Sequence, residues 1–142
     1  MAQRFTHRLL IVLVGLACPA QGYAQVSQIS GSVDARLSGY CKSVEANSSL
    51  NGALGDFRVK QGGSVIVTGV RQTVFIESGG VADIRGTAGL IYVAKGGKAT
   101  VQGERNVVFA ERGGNVATVG RVTMTIVEAL NLQLNQGGTA CQ

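Results

Sequence analysis

The sequence predicts an all-β chain built as a small parallel β-solenoid (β-helix), and three observations carry that expectation. Gly52, Gly69, Gly86, Gly103 and Gly120 stand seventeen residues apart. The pairs Gly62-Gly63, Gly79-Gly80, Gly96-Gly97 and Gly113-Gly114 keep the same step without an insertion. Between them run short alternating stretches rich in β-branched residues, with no proline after Pro19. A constant period marks one structural unit per repeat. So short a unit cannot bury an apolar face by itself, whereas stacked copies bury it against each other. The lack of proline fits, because every rung must donate hydrogen bonds to its neighbour. An antiparallel sandwich would not need constant register over the repeats.

Residues 1–24 read as a secretory signal peptide. Arg4, His7 and Arg8 precede the apolar run Leu9 to Leu16, and small residues lead to Gly22-Tyr23-Ala24. Cleavage is placed after Ala24, with Ala20 as the alternative. Gly15-Leu16-Ala17-Cys18 is a poor lipoprotein box, with Gly where Leu is expected, which leaves a lipid anchor at Cys18 as a lesser alternative. No later stretch approaches the roughly 20 apolar residues of a membrane helix, so no transmembrane segment is expected. The destination is the periplasm, the cell surface or the medium.

Removal of residues 1–24 takes away the only histidine and the only proline, and the chain has no tryptophan. Histidine-based general base catalysis, histidine metal ligands and Ser/His/Asp triads are thereby excluded from the mature chain. Eleven basic residues then face eight acidic ones, a net charge of +3. Arg58, Arg71, Arg85, Lys98 and Arg112 fall at different places in the period and no aromatic residues alternate with them, so no nucleic acid partner is expected.

After a lead-in over 25–40, residues 41–127 form the repeats. Each has a β-rich run before the double glycine, as in Phe75-Ile76-Glu77-Ser78, and a shorter alternating run after it, as in Ala82-Asp83-Ile84. Two strands and two turns make one rung. Val59, Ile76, Val93, Ala110 and Val127 form one predicted interior column. Val74, Ile91 and Val108 form another, while Val65, Ala82, Ala99, Val116 and Val67, Ile84, Val101 make two more. Alternation then turns Phe75, Tyr92, Phe109 and Ile126 outward, flanked by Leu90, Val107 and Met124. Such an apolar stripe is a candidate contact surface, or a face that another part of the chain covers.

Residues 128–142 are expected to be that cover or a last rung, because Leu130, Leu132 and Leu134 alternate with Asn131, Gln133 and Asn135. Seventeen-residue register places Cys41 at the head of the stripe, level with Phe75 and Tyr92. In an oxidising compartment Cys41 and Cys141 are expected to form a disulfide that pins the tail along it. Closing a loop of about 100 residues would contribute roughly 4 to 5 kcal/mol in the chain-entropy account.

Candidate chemistry is sparse, and no catalytic, cofactor-binding or metal-binding residue is assigned. Glu77, Glu111 and Glu128 share a column, and Glu77 and Glu111 two rungs apart would be separated by about 9.6 Å, at the edge of the spacing used by inverting glycosidases. Solvated carboxylates paired to Lys60, Lys95 or Arg112 are the plainer reading. Asp56 and Asp83 occupy different columns and make no calcium repeat. The glycine pairs lack the Lys-Ser/Thr of a phosphate loop and read as turns.

The steps Val67-Thr68-Gly69, Ile84-Arg85-Gly86 and Val101-Gln102-Gly103-Glu104-Arg105-Asn106-Val107-Val108 resemble the Gly-, Asn- and Val-rich repeats of a family of small exported bacterial proteins, the domain of unknown function 3060 group. The resemblance runs from about Cys41 to Gly120. It implies export and a β-solenoid, and brings no activity and no catalytic residue. Bactofilins, polymer-forming β-helical proteins of similar rung length, are a looser resemblance. The expected function is a non-enzymatic structural, adhesion or self-association module, with self-association or an envelope or matrix polymer as partner. A carbohydrate-binding or carbohydrate-active envelope protein is the alternative.

Overall fold

The computed structural model describes residues 24–37, 42–51 and 55–134. Among them are twelve strands and no helix: β1 (Ala24–Gln28), β2 (Ser32–Leu37), β3 (Lys42–Val44), β4 (Asn47–Asn51), β5 (Gly55–Val59), β6 (Ser64–Val70), β7 (Gln72–Ile76), β8 (Val81–Thr87), β9 (Leu90–Val93), β10 (Lys98–Glu111), β11 (Asn115–Val127) and β12 (Ala129–Leu134). The chain is a parallel β-solenoid of about five coils. One ladder runs β3, β5, β7, β9, the second halves of β10 and β11, and then β1; the other runs β4, β6, β8 and the first halves of β10 and β11. All these pairings are parallel.

The glycine pairs form the turn between the ladders. Gly63, Gly80, Gly97 and Gly114 each donate N–H to the carbonyl three residues back, at 2.7–2.9 Å. The preceding Gly62, Gly79, Gly96 and Gly113 sit at φ between 81° and 96°, which glycine adopts without the Cβ penalty. The turns also stack, Gly62 N–H on Gly79 O and Gly79 N–H on Gly96 O, so the loops continue the ladder.

The opposite corner repeats as well. Arg71, Ala88 and Arg105, seventeen residues apart, all lie near φ 58–59°, in the left-handed region. Gly103 precedes the last of these at φ 121°, and a Cβ there would run into the Gly86 carbonyl oxygen, so the close stacking of coils requires glycine.

Alternation sends one face of both ladders into a shared core. Val59, Ile76 and Val93 are fully buried, as are Val74, Ile91 and Val108, and they pack against Val65, Val67, Ile84 and Val101 of the other ladder. Burial of each such side chain is worth roughly 1.5–3 kcal/mol. The core stays narrow because Ala82, Ala99 and Ala110 occupy positions where larger residues stand in other rungs.

The seventeen-residue step fails at both ends of the stack. Lys42 pairs with Phe57 and Val44 with Val59, a step of fifteen, because the first rung has no glycine-pair turn between β3 and β4. Ser43, rather than Cys41, therefore stands level with Arg58, Phe75 and Tyr92. At the other end Glu104 pairs with Arg121 but Asn106 with Val122, because Arg105 bulges out and the last rung has no residue to match it. A one-residue slip exchanges the faces of a strand. Ile126 thus pairs with Ala110 and Met124 with Val108, both on the core side, while Val127 leaves the interior column and pairs with Glu111.

Candidate functional site

The outward stripe consists of Phe75, Tyr92 and Phe109 on adjacent coils, preceded by Arg58 and followed by Thr125. Tyr92 and Phe109 stack with centroids 5.7 Å apart and rings inclined by 18°. These rings lie under a second layer. Ala35 and Leu37 of β2 are fully buried against Phe75 and Tyr92, and Val33, Leu90, Leu130 and Leu132 pack around them. β2 and β12 form their own parallel pair, from Ala129 beside Ser32 to Leu134 beside Leu37. β2 starts at the last coil, where Glu128 N–H donates to Gly31 O, and reaches β7. It therefore crosses the coils. Tyr92 makes a hydrogen bond with the Arg36 backbone, and burial under this layer pushes its phenol above the ordinary value. Phe75 and Tyr92 are only 5% and 6% exposed, so neither offers a platform for a flat polymer.

Half of this cover lies in the lead-in rather than the tail. The alternation of Val33, Ala35 and Leu37 with Asp34 and Arg36 is the signal in the sequence that marks β2 as a one-sided strand. Its position over the stripe depends on pairing with β12, about a hundred residues away in the chain, which no local pattern encodes.

The acidic residues are engaged in structural contacts. Glu77 accepts a 2.8 Å hydrogen bond from Arg58 Nε and is paired with its guanidinium. Glu111 accepts from the Lys95 N–H at 3.2 Å and from the Leu130 N–H at 2.8 Å, fixing the start of β12. Glu128 pairs with Arg112 at 2.8 Å and, because of the slip, does not share the column of Glu77 and Glu111. Among the described residues no group of three His, Cys, Asp or Glu side chains could hold a metal ion. No helix among them is long and apolar enough to cross a membrane.

One corner column is polar. Asn106 is 1% exposed; its Oδ1 accepts from Gly89 N–H at 2.9 Å and its Nδ2 donates to Gly86 O at 3.0 Å and Gln102 O at 3.3 Å. These bonds tie two adjacent coils together where the backbone leaves its regular ladder.

The end of the stack beyond β11 is stepped. β1 pairs with the second half of β11, from Ala24 beside Val122 to Gln28 beside Ile126, so among the described residues one ladder continues a strand further than the other. Asn115 to Arg121, the first half of β11, has β10 on one side and no described strand on the other. Next to that half-rung the core opens into a hollow of about 340 Å³ lined by Ala110, Val116, Met124 and Ile126, with Gln28 and Glu111 at its rim. Val119 and Val26 are 59% and 54% exposed at this end. Cys41 and Cys141 both lie outside the described residues. Comparison with known protein families, with curated proteins and with solved structures finds no match for the chain.

Proposed function

We propose that this chain is an exported, non-enzymatic β-solenoid that works as a structural module, associating with itself or with an envelope or matrix polymer. The observation that carries the reading is the end of the stack at β11, whose first half has no described strand beyond it and borders an open apolar core. Edge strands template further pairing unless they are blocked. The alternative, a carbohydrate-binding face built on Phe75, Tyr92 and Phe109, is disfavoured because β2 and β12 cover those rings. Glu77 and Glu111, the candidate catalytic pair, are taken up by Arg58, Lys95 and Leu130.

Export is supported by Arg4, His7 and Arg8 ahead of the apolar run, and by the resemblance to the exported Gly-, Asn- and Val-rich repeat family. A Cys41–Cys141 disulfide is supported by register: Leu37 pairs with Leu134, and the cysteines follow these residues by four and seven positions. Thiol labelling of the exported protein with and without reductant tests the bridge; two reactive thiols before reduction would remove it. Light scattering across a concentration series tests the functional reading. The expected result is a mean mass that rises with concentration, and a strict monomer at the highest soluble concentration would overturn it.

A further inference from the structure

We infer that the outer face of the ladder β4, β6, β8 and the first halves of β10 and β11, together with the left-handed corner beside it, docks an acidic polysaccharide whose carboxylates lie along a row of arginines. This rests on the polymer arm of the reading above, and gives that polymer a chemistry and a place. Charge is the first support. The face and its corner carry Arg71, Arg85, Lys98, Arg105 and Arg121 against only Asp83 and Glu104. The other six cations and six carboxylates of residues 25–142 lie elsewhere and balance, so the whole net charge of +3 gathers on this side. Every acidic side chain stands among the described residues, so no segment outside them brings a carboxylate side chain to neutralise it.

The fold gathers what the sequence scatters. Arg71 and Arg105 occupy the corner itself, two coils and so about 10 Å apart. Arg85 stands in the coil between them and Arg121 in the coil after Arg105, so four successive coils contribute one arginine each over about 14 Å. All four are exposed, as is Lys98 at the turn end of the face. Arg58, Lys60 and Arg112 each face a glutamate, whereas Arg71 and Arg105 have no ion pair among the described residues. Glu104 lies 3.8 Å from an Arg121 side chain that is 83% exposed, a loose pair that an incoming carboxylate can displace. A guanidinium offers a planar fork that holds a carboxylate through two hydrogen bonds. Beside the charges, Thr100, Gln102 and Asn115 present hydroxyl and amide groups suited to sugar hydroxyls. No aromatic side chain stands in these strands for a base to stack on or for a lipid surface to take up, which favours a polysaccharide over nucleic acid or membrane.

Biolayer interferometry of the exported protein on immobilised alginate, a polymer of carboxylate sugars, tests the surface. Binding is expected at low ionic strength, with release as salt contracts the screening length toward about 3 Å near 1 M, and with none to neutral dextran. Arg71→Glu combined with Arg105→Glu should weaken it at least about ten-fold, and the gentler Arg71→Gln with Arg105→Gln should weaken it in the same direction. Lys42→Glu combined with Lys95→Glu makes the same change of charge at exposed positions away from this side and should cost much less. Equal losses from the two glutamate pairs, binding to dextran, or tighter binding to duplex DNA or to phosphatidylglycerol vesicles than to alginate would overturn the assignment. Alginate left unbound while light scattering shows mass rising with concentration overturns this surface and leaves self-association standing. A strict monomer that binds alginate upholds the surface without self-association, and a monomer that binds no alginate overturns both.

Discussion

On the outer side of one ladder Phe75, Tyr92 and Phe109 lie beneath β2 and β12, whereas Ile66, Asp83, Thr100 and Ala117 stand outward on the other ladder with no described strand over them. The two ladders share a core, a turn and a register, so only their outward residues differ. Where these are large and apolar, a second layer recovers the area that would otherwise face water. Where they are mostly small or charged, as in the other column apart from the exposed Ile66, local pairs suffice, such as the 2.7 Å contact of Arg85 with Asp83. The outward column thus decides which side of a solenoid becomes two layers deep.

The contrast can be broken most severely at Leu37, fully buried between β2 and the rings. Leu37→Ala should cost about 2–5 kcal/mol and lower the thermal midpoint by several degrees. A loss within about 0.5 kcal/mol would mean that the second layer is not anchored there. Next in size is Tyr92→Phe, which removes the hydrogen bond with Arg36 and should cost about 0.5–1.5 kcal/mol at neutral pH. The same residue sharpens the contrast at high pH. Its folded pKa is raised, chiefly by burial, so the stability that depends on a neutral phenol is intact below about pH 10 and is lost as pH climbs through the folded value. The unsubstituted protein should therefore lose stability more steeply above about pH 10 than Tyr92→Phe, and equal slopes in denaturant titrations would contradict the covered position. Smallest is Thr100→Ala on the single-layered side, expected within about 0.5 kcal/mol of the parent in the same titrations.

The middle of the stack is legible from sequence because each coil there repeats the same turn and the same corner. Val59, Ile76, Val93 and Ala110 fall in one column in both readings. The ends are not legible, for a local reason at each. The first rung lacks the glycine-pair turn, and the last lacks the left-handed corner residue that Arg105 supplies. Counting by seventeen then misplaces Cys41 by two positions and Ile126 by one, and the latter slip turns Ile126 from the stripe to the core. The cover is hard to read for another reason. Val33, Ala35 and Leu37 mark an amphipathic strand, but its partner face is chosen by contacts far along the chain.

The pairing of β1 with β11 also imposes an order of events. Ser27 meets Thr125, 98 residues later, and β2 waits for β12. In a chain made or threaded N-terminus first, the opening strands emerge long before their partners, and contacts of such separation close late and slowly. The middle coils can stack on nearest neighbours as they appear, while the aromatic side remains bare until Leu130 and Leu132 arrive. The second layer is thus a closing step, one that registers the arrival of the C-terminal strands and leaves an incomplete chain with its aromatic face bare.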